Sequence, residues 1–258
     1  MIPQSRGTSI KWRKPEVPVV EAQLAVSAEL TEIGYRLRYE AYRHGGYIAE
    51  HPNRSFSDSY DEAGNSWTTV IFKQNEPAAT VRVVRHDPDS SGCDRHELPA
   101  MAIFGDEIAA IMGTIRSSGK SPKIMEICRL ARAPQFSKDL DVVFALFRTA
   151  GYLFLNFDAD VVFNAVRSHH IPMYRRFGFQ ELEKPKPYPG LSCAMGLMAS
   201  FRPGHAALIE GQPFLRGITT ADAAYAGLIA GERVSIFGDQ PAPIHQSGGA
   251  ITAARQAG

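Results

Sequence analysis

The chain has 258 residues, 44% of them apolar and 21% charged, which is enough to bury a core and unlike a disordered or fibrous composition. Twenty-eight Lys and Arg against 27 Asp and Glu leave a formal charge of +1, so no whole-molecule field points to nucleic acid or an anionic membrane. The apolar stretches read as too short and too interrupted to span a bilayer, and the basic start (Lys11, Arg13, Lys14) runs into prolines rather than an apolar h-region. A cytoplasmic location is the expectation. Cys93, Cys128 and Cys193 lie far apart with no CxxC pair, and the histidines form no HExxH, so reduced thiols and no metal site are expected. No Walker loop, GxGxxG or GxSxG is present.

Residues 1–23 are polar and proline-broken and read as an N-terminal arm. Leu30, Ile33, Leu37 and Ala41 recur at helical spacing, with Ser27 as N-cap and Gly45-Gly46 as a stop, which predicts a helix over 27–43. Residues 44–65 form a long polar loop of the kind that is usually functional. Trp67–Lys73 and Ala78–Val84 are β-rich and read as an antiparallel hairpin joined by Gln-Asn-Glu-Pro. A helix follows from Pro99 as first residue to about Ile115, then a strand over Lys123–Ala131 between Pro122 and Pro134, and a long apolar helix over 138–156. Asp160–Val166 reads as a strand, Pro172–Phe177 as a short helix ended by Gly178, and Leu191–Phe201 as the last strand. The order predicts an α/β fold with a mixed sheet and helices on both faces, occupying 24–201. Residues 202–258 shift to Gly, Ala and Pro, with one helix from Thr219/Thr220 to Ile229, and read as an extension with a Gly/Ala/Gln-rich end beyond Pro243.

Four local features stand in a fixed order. Arg38 and Tyr42 share one face of the first helix. Asp58-Ser-Tyr-Asp61 puts two carboxylates within one turn of the long loop, a pattern equally suited to capping. Arg82 interrupts an apolar strand, and buried there it would need carboxylates folded over it. Glu126-Ile-Cys-Arg129 lies in a strand where positions three apart face opposite sides, so a shared site requires a β-bulge.

Arg-x-x-x-aromatic, Asp-x-x-Asp, a strand Arg and Glu-x-x-Arg together resemble the acyl-homoserine-lactone synthases and the N-acyl amino acid synthases, which share the GNAT acyltransferase fold. His170-Ile-Pro-Met-Tyr-Arg-Arg-Phe-Gly-Phe179 is similar to the GNAT segment in which a tyrosine precedes a Gly-Phe strand entry. The resemblance covers about 25–200 and implies a splayed fourth strand. It also implies a thioester donor. GNAT enzymes that use coenzyme A carry a glycine-rich loop after that strand, whereas Arg132-Ala-Pro-Gln-Phe-Ser-Lys138 has no glycine there. That departure favours acyl carrier protein, which brings its own 4′-phosphopantetheine, and leaves no separate cofactor to be bound. The lactone synthases have a tryptophan soon after the helix-1 aromatic; Tyr47-Ile48 stands here, and the tryptophans are Trp12 and Trp67, which favours an amino acid acceptor over S-adenosylmethionine.

On this reading Glu126 is the general base for the acceptor amine, and backbone N–H groups near Cys128 to Leu130 meet the oxyanion. Arg129 completes the Glu-x-x-Arg site, Tyr174 is a candidate acid for the leaving thiol or a core tyrosine, and Cys128 reads as a buried structural thiol. Arg38, Tyr42, Asp58, Asp61 and Arg82 either pin the loop or orient the acceptor. Met101–Ile115 and the Phe144, Phe147, Tyr152, Phe154 run are candidate acyl-chain walls, or plain core. Residues 129–186 carry nine basic against six acidic side chains, and Arg132, Lys138, Arg175 and Arg176 are candidate docking residues for an acidic carrier protein. The rivals are a lactone synthase, an ornithine-lipid type N-acyltransferase and a non-catalytic acyl-binding module.

Overall fold

The computed structural model describes residues 19–238; Trp12, the arm up to residue 18 and the end beyond Pro243 lie outside the described residues. In chain order the elements are β1 (Val20–Leu24), α1 (Ala28–His44), β2 (Ser66–Lys73), β3 (Glu76–His86), α2 (Met101–Ser117), β4 (Ile124–Arg132), α3 (Leu140–Phe157) and β5 (Val161–Arg167). Then come α4 (Ile171–Arg176), β6 (Gln180–Pro187), β7 (Ala194–Phe201), α5 (Arg202–Gly211), α6 (Ala223–Ile229) and the two-residue β8 (Val234–Ser235). All eight strands form one sheet in the order β6-β7-β5-β4-β3-β2-β1-β8. Neighbours are antiparallel except β4 and β5, which run parallel.

Strand alternation sorts the core into two faces. Val81, Val83, Met125, Ile127, Val162 and Val166 pack with α3 on one side. Val84, Ile124, Cys128, Val161 and Phe163 pack with α2 on the other, through Phe104, Ile108 and Met112. Gly34 brings α1 close to the sheet on that second side: a Cβ there would stand 3.1 Å from Thr68 Cγ2. The β2–β3 hairpin closes through Gln74 and Asn75, both at positive φ (52° and 66°), so it is a two-residue type I′ turn, tighter than the four-residue link expected.

Several expectations are corrected. Val20–Leu24 belongs to the sheet rather than to an arm, with Val20, Ala22 and Leu24 buried. The expected last strand is β7, and a further strand precedes it: β6 was hidden by Lys184-Pro-Lys-Pro187, and prolines are tolerated there because β6 is the edge of the sheet among the described residues. α2 begins at Met101 behind Ala100, not at Pro99. Residues 202–238 are integral to the core: Phe214, Leu215, Ile218, Leu228 and Ile236 join the α3 cluster, and Arg148 donates to the carbonyls of Phe214, Arg216 and Ile236. The same residues fill the proposed aromatic acyl wall, Phe144 stacking on Phe214 at 4.7 Å. Contrary to the hydropathy expectation, α3 is long and apolar enough to cross a membrane, but over half of it is buried against the sheet.

What positions the site is the parting of β4 and β5. They pair only from Ile124↔Val161 to Glu126↔Phe163 and then separate. Asn164 reaches across the gap, donating from Nδ2 to Ile127 O at 2.8 Å. On the other edge of β4 the register steps from Arg82↔Cys128 to Thr80↔Ala131, two residues of β4 against one of β3. Arg129 absorbs the step at φ 52°, the left-handed region a non-glycine residue rarely takes. This is the bulge that Glu126 and Arg129 require to share a site.

Candidate active site

The loop after α1 folds back over the sheet as a single 3-10 turn, Ser59–Asp61. Asp58 Oδ1 accepts from Tyr60 N and Asp61 Oδ2 accepts from Asp58 N, so the two aspartates are locked by reciprocal capping. The same two carboxylates face three arginines from three elements. Arg82 on β3, wholly buried, donates from Nη1 to Asp58 Oδ1 at 2.6 Å and lies 2.9 Å from Asp61 Oδ1. Arg129 on the bulge reaches Asp58 Oδ2 through Nη2 at 2.6 Å, and buried Arg38 on α1 divides its donors between Asp61 Oδ1 (2.7 Å) and Thr68 Oγ1 (2.8 Å). Burial raises the Asp58 pKa, but the hydrogen bonds and charges of Arg82 and Arg129 outweigh it and hold the carboxyl at about 2. The expectation that something acidic covers Arg82 is met by the loop itself.

Tyr42, one turn beyond Arg38, packs edge-on against Phe56 at 5.1 Å, and Phe56 lies under the Arg129 guanidinium at 5.1 Å. Cys128 accepts from Arg82 Nε at 3.3 Å, and burial pushes its thiol up to about 11, so it is a protonated core thiol.

Glu126 is completely buried on the same face as Arg82 and Cys128. Its Oε2 accepts from Ala100 N at 2.7 Å, at the start of α2, while Oε1 has no hydrogen-bond partner among the described residues. Burial raises its pKa, the Ala100 N–H and the charges of Arg82 and Arg129 oppose the rise, and the balance is about 7. One oxygen is thus anchored and the other is free to take a proton near neutral pH.

Arg38, Tyr42, Asp58, Asp61, Arg82, Glu126, Cys128 and Arg129 therefore converge. Tyr174 does not: it packs among Phe147, Phe177 and Phe179 on the α3 face, where burial raises its hydroxyl pKa. Trp67 packs on Phe157 on that face too. Lys138, Arg175 and Arg176 are exposed, with Arg175 paired to Glu181, and Arg132 is half-buried at the end of β4.

Two tyrosines escaped the motif argument. Tyr60 lies 5.8 Å from the Arg82 guanidinium carbon, and Tyr188 sits at the same distance from Arg129, with the charge of Glu126 adding to burial in raising both hydroxyls. Tyr60 stands inside the Asp-x-x-Asp signal; Tyr188 follows the proline run that hid β6.

At the start of α3, Asp139 Oδ1 accepts from the N–H groups of Asp141 and Val142, and Lys73 bridges Asp139 (2.6 Å) and Asp141 (3.1 Å). The helix N-terminus is filled by its own carboxylates.

A family model described as N-acyl amino acid synthase FeeM matches residues 34–200. Among solved structures, FeeM, an N-acyl amino acid synthase from uncultured soil microbes, superposes with TM-score 0.61 at 18% identity, covering 76% of this chain and 96% of FeeM. LasI, an acyl-homoserine-lactone synthase, gives 0.51 at 15% identity over 70% of this chain and 89% of its own. BjaI, a CoA-dependent acyl-homoserine lactone synthase, gives 0.51 at 15% over 83% and 99%. Among curated protein sequences none matches the chain. These likenesses bear out the GNAT fold, and the family match, which spans well over half of the chain, bears out an acyl-transferring enzyme of the N-acyl amino acid or lactone synthase kind. The chain belongs to the N-acyl amino acid synthase FeeM family of acyltransferases.

Proposed function

We propose that the enzyme transfers a fatty acyl group from acyl carrier protein to the α-amine of an amino acid. The observation that carries this reading is Glu126: a buried carboxylate beside parted strands, one oxygen anchored, the other free, with a pKa of about 7. An amino acid's ammonium has a pKa near 8 and cannot attack a thioester until it loses a proton. Glu126 Oε1 takes that proton, the amine nitrogen bonds to the thioester carbon, and the C–S bond breaks. The nitrogen then gives up its second proton, which leaves with the thiol, and the proton held by Glu126 passes to solvent. Arg129 and Leu130, without ladder partners at the bulge, offer backbone N–H groups for the oxyanion.

Carrier protein rather than coenzyme A is favoured because the start of α3, where a pyrophosphate would be cradled, already holds Asp139 and Asp141. The exposed Lys138, Arg175 and Arg176 would meet the acidic carrier.

The test is thiol release from acyl carrier protein with a panel of amino acids, joined to mass spectrometry of extracts from overproducing cells. N-acyl amino acids are expected. Acyl lactones would transfer the assignment to a lactone synthase using S-adenosylmethionine, and acyl-ornithine to the ornithine-lipid type. No thiol release with any acceptor would leave a binding module.

A further inference from the structure

On the face of the sheet that carries Glu126 and Cys128, two guanidinium groups keep donors that the chain does not take up. Arg129 turns to this face at the bulge, where Asp58 Oδ2 accepts from its Nε at 3.1 Å and its Nη2 at 2.6 Å. Its Nη1 has no hydrogen-bond partner among the described residues, although the side chain is only 9% exposed. Arg167, half-buried, continues the Phe163 and Ala165 side of β5, which is the side of Cys128. Its Nη2 donates to His170 Nε2 at 3.1 Å, and it forms no ion pair among the described residues. A half-buried positive charge without a partner is a cost until an anion reaches it.

One cavity joins the two arginines. Tyr47 and Phe56 both line a space of about 640 Å³ between the loop after α1 and the β6–β7 turn, together with Ser57, Leu191 and Ser192. The Arg167 guanidinium lies 4.4 Å over the Tyr47 ring and that of Arg129 lies 5.1 Å over the Phe56 ring, so each arginine abuts one wall. The turn is fastened to the loop: Ser192 N donates to Tyr47 O at 2.9 Å, and Tyr188 N donates to Cys193 O at 3.2 Å. Cys193, on the same turn, feels both arginines, since burial raises its thiol pKa and the charges of Arg167 and then Arg129 oppose the rise. The carboxylate on the cavity wall, Glu50, is exposed, at the border with a groove that holds Arg43 and Arg54.

An amino acid brings one carboxylate on the carbon that bears its amine. Glu126 takes the proton from that amine, and the bulge sets Arg129 on the same face three residues along, so Nη1 is the donor beside the α-carboxylate. Arg167 is then a second cation at the other wall, with no backbone carboxylate of the acceptor left for it. A carboxylate in the acceptor's side chain fills that place, because guanidinium and carboxylate form charge-assisted hydrogen bonds in one plane.

We propose that the acceptor is a dicarboxylic amino acid, its α-carboxylate taken by Arg129 Nη1 and its side-chain carboxylate by Arg167. This specificity rests on the acyl-transfer reading above and narrows its acceptor.

Calorimetry of glutamate and aspartate against glutamine and asparagine tests it without turnover, since each amide keeps the shape of its acid and loses the charge. With the wild type, at least one acid should bind about tenfold tighter than its own amide at low salt, the ratio shrinking as salt rises. Arg167→Met should bring that ratio toward one, whereas damage to the fold alone would weaken acid and amide alike and leave the ratio standing. A wild-type ratio of one for both pairs, a ratio indifferent to salt, or one that Arg167→Met leaves in place overturns the specificity. If Arg167→Met does not fold, Arg167→Gln is read in its place, and the wild-type ratio and its salt dependence stand on their own. Thiol release from acyl carrier protein with the same acceptors separates the two readings: transfer without preference for the acid defeats the specificity alone, and a binding preference without transfer defeats the reaction alone.

Discussion

Beside Glu126, three arginines meet two aspartates at 2.6 to 2.9 Å and every guanidinium is answered from within the chain. At the far ends of the same parted strands, Arg132 and Arg167 meet no carboxylate among the described residues. The first group has its ion pairs without substrate, an arrangement suited to holding the loop down and to setting the field around Glu126. The second has no such partners, and a half-buried positive charge without one is a standing cost. Paired charges build a site, and unpaired ones set the field at its edge.

The largest effect that tests the first half of this contrast falls on Glu126. Glu126→Gln keeps the shape and the Ala100 hydrogen bond but cannot accept a proton, so turnover should fall at least about 100-fold. Its melting temperature should hold or rise, because the folded enzyme no longer buries a group that ionises near neutrality. Near-normal turnover in that variant would remove Glu126 from the chemistry.

Asp58→Asn comes next. It strips the shared carboxylate from buried Arg82 and from Arg129, and breaking a buried pair of this kind costs about 3 kcal/mol. With Asp58 held at about 2, below its usual 3.8, the stabilisation is present above the unfolded value and is lost as pH falls through 2. Denaturant melts should show a gap between wild type and variant that is constant from pH 5 to 8 and closes below about pH 4. A gap that persists at pH 2 would mean that the charge is not what holds the loop.

The pH profile has a smaller effect, tenfold for each unit. Glu126 is the opposite case to Asp58: its pKa is raised, so its contribution to stability is present below the unfolded 4.5 and is lost as pH rises through about 7, the interval in which its activity as a base appears. The wild-type kcat/KM should climb with unit slope to a bend near pH 7, apart from the acceptor ammonium's own bend near pH 8. Glu126→Gln should lose the first bend and keep the second.

Much of this was legible before the structure, for identifiable reasons. The helices and central strands carry apolar periodicity between Gly, Pro and Ser punctuation, and the bulge could be demanded from Glu126 and Arg129 alone, because three-residue spacing on a strand puts side chains on opposite faces. Edge strands broke the rule. β6 tolerates two prolines because one side of it faces no strand among the described residues, and residues 202–238 hide a few anchoring side chains, Phe214 and Ile218 among them, in a Gly/Ala background. Arg38, Asp58, Asp61, Arg82 and Arg129 were legible as an ordered charge pattern. Asn164, Arg167 and Tyr188 were not, since their positions depend on where β4 and β5 part and on an edge strand that sequence punctuation denied. Tyr174 took the core alternative: α4 packs on the α3 face, where its ring meets Phe147, across the sheet from the cluster that holds Cys128.

The smallest effect bears on the contrast most directly. Asp139→Asn preserves the N-cap, since asparagine caps as well as aspartate, and Lys73 keeps Asp141, so stability should shift by less than about 1 kcal/mol. It also removes one negative charge from the end of α3, worth about 0.5 kcal/mol toward an anion there, or roughly a two- to threefold lower KM for acyl-CoA. On the carrier-protein reading, the KM for acyl carrier protein should not move, because that donor does not depend on a pyrophosphate cradle at the helix. If both values fell together, the two donors would share the start of α3, and the acidic cap there would no longer separate carrier protein from coenzyme A.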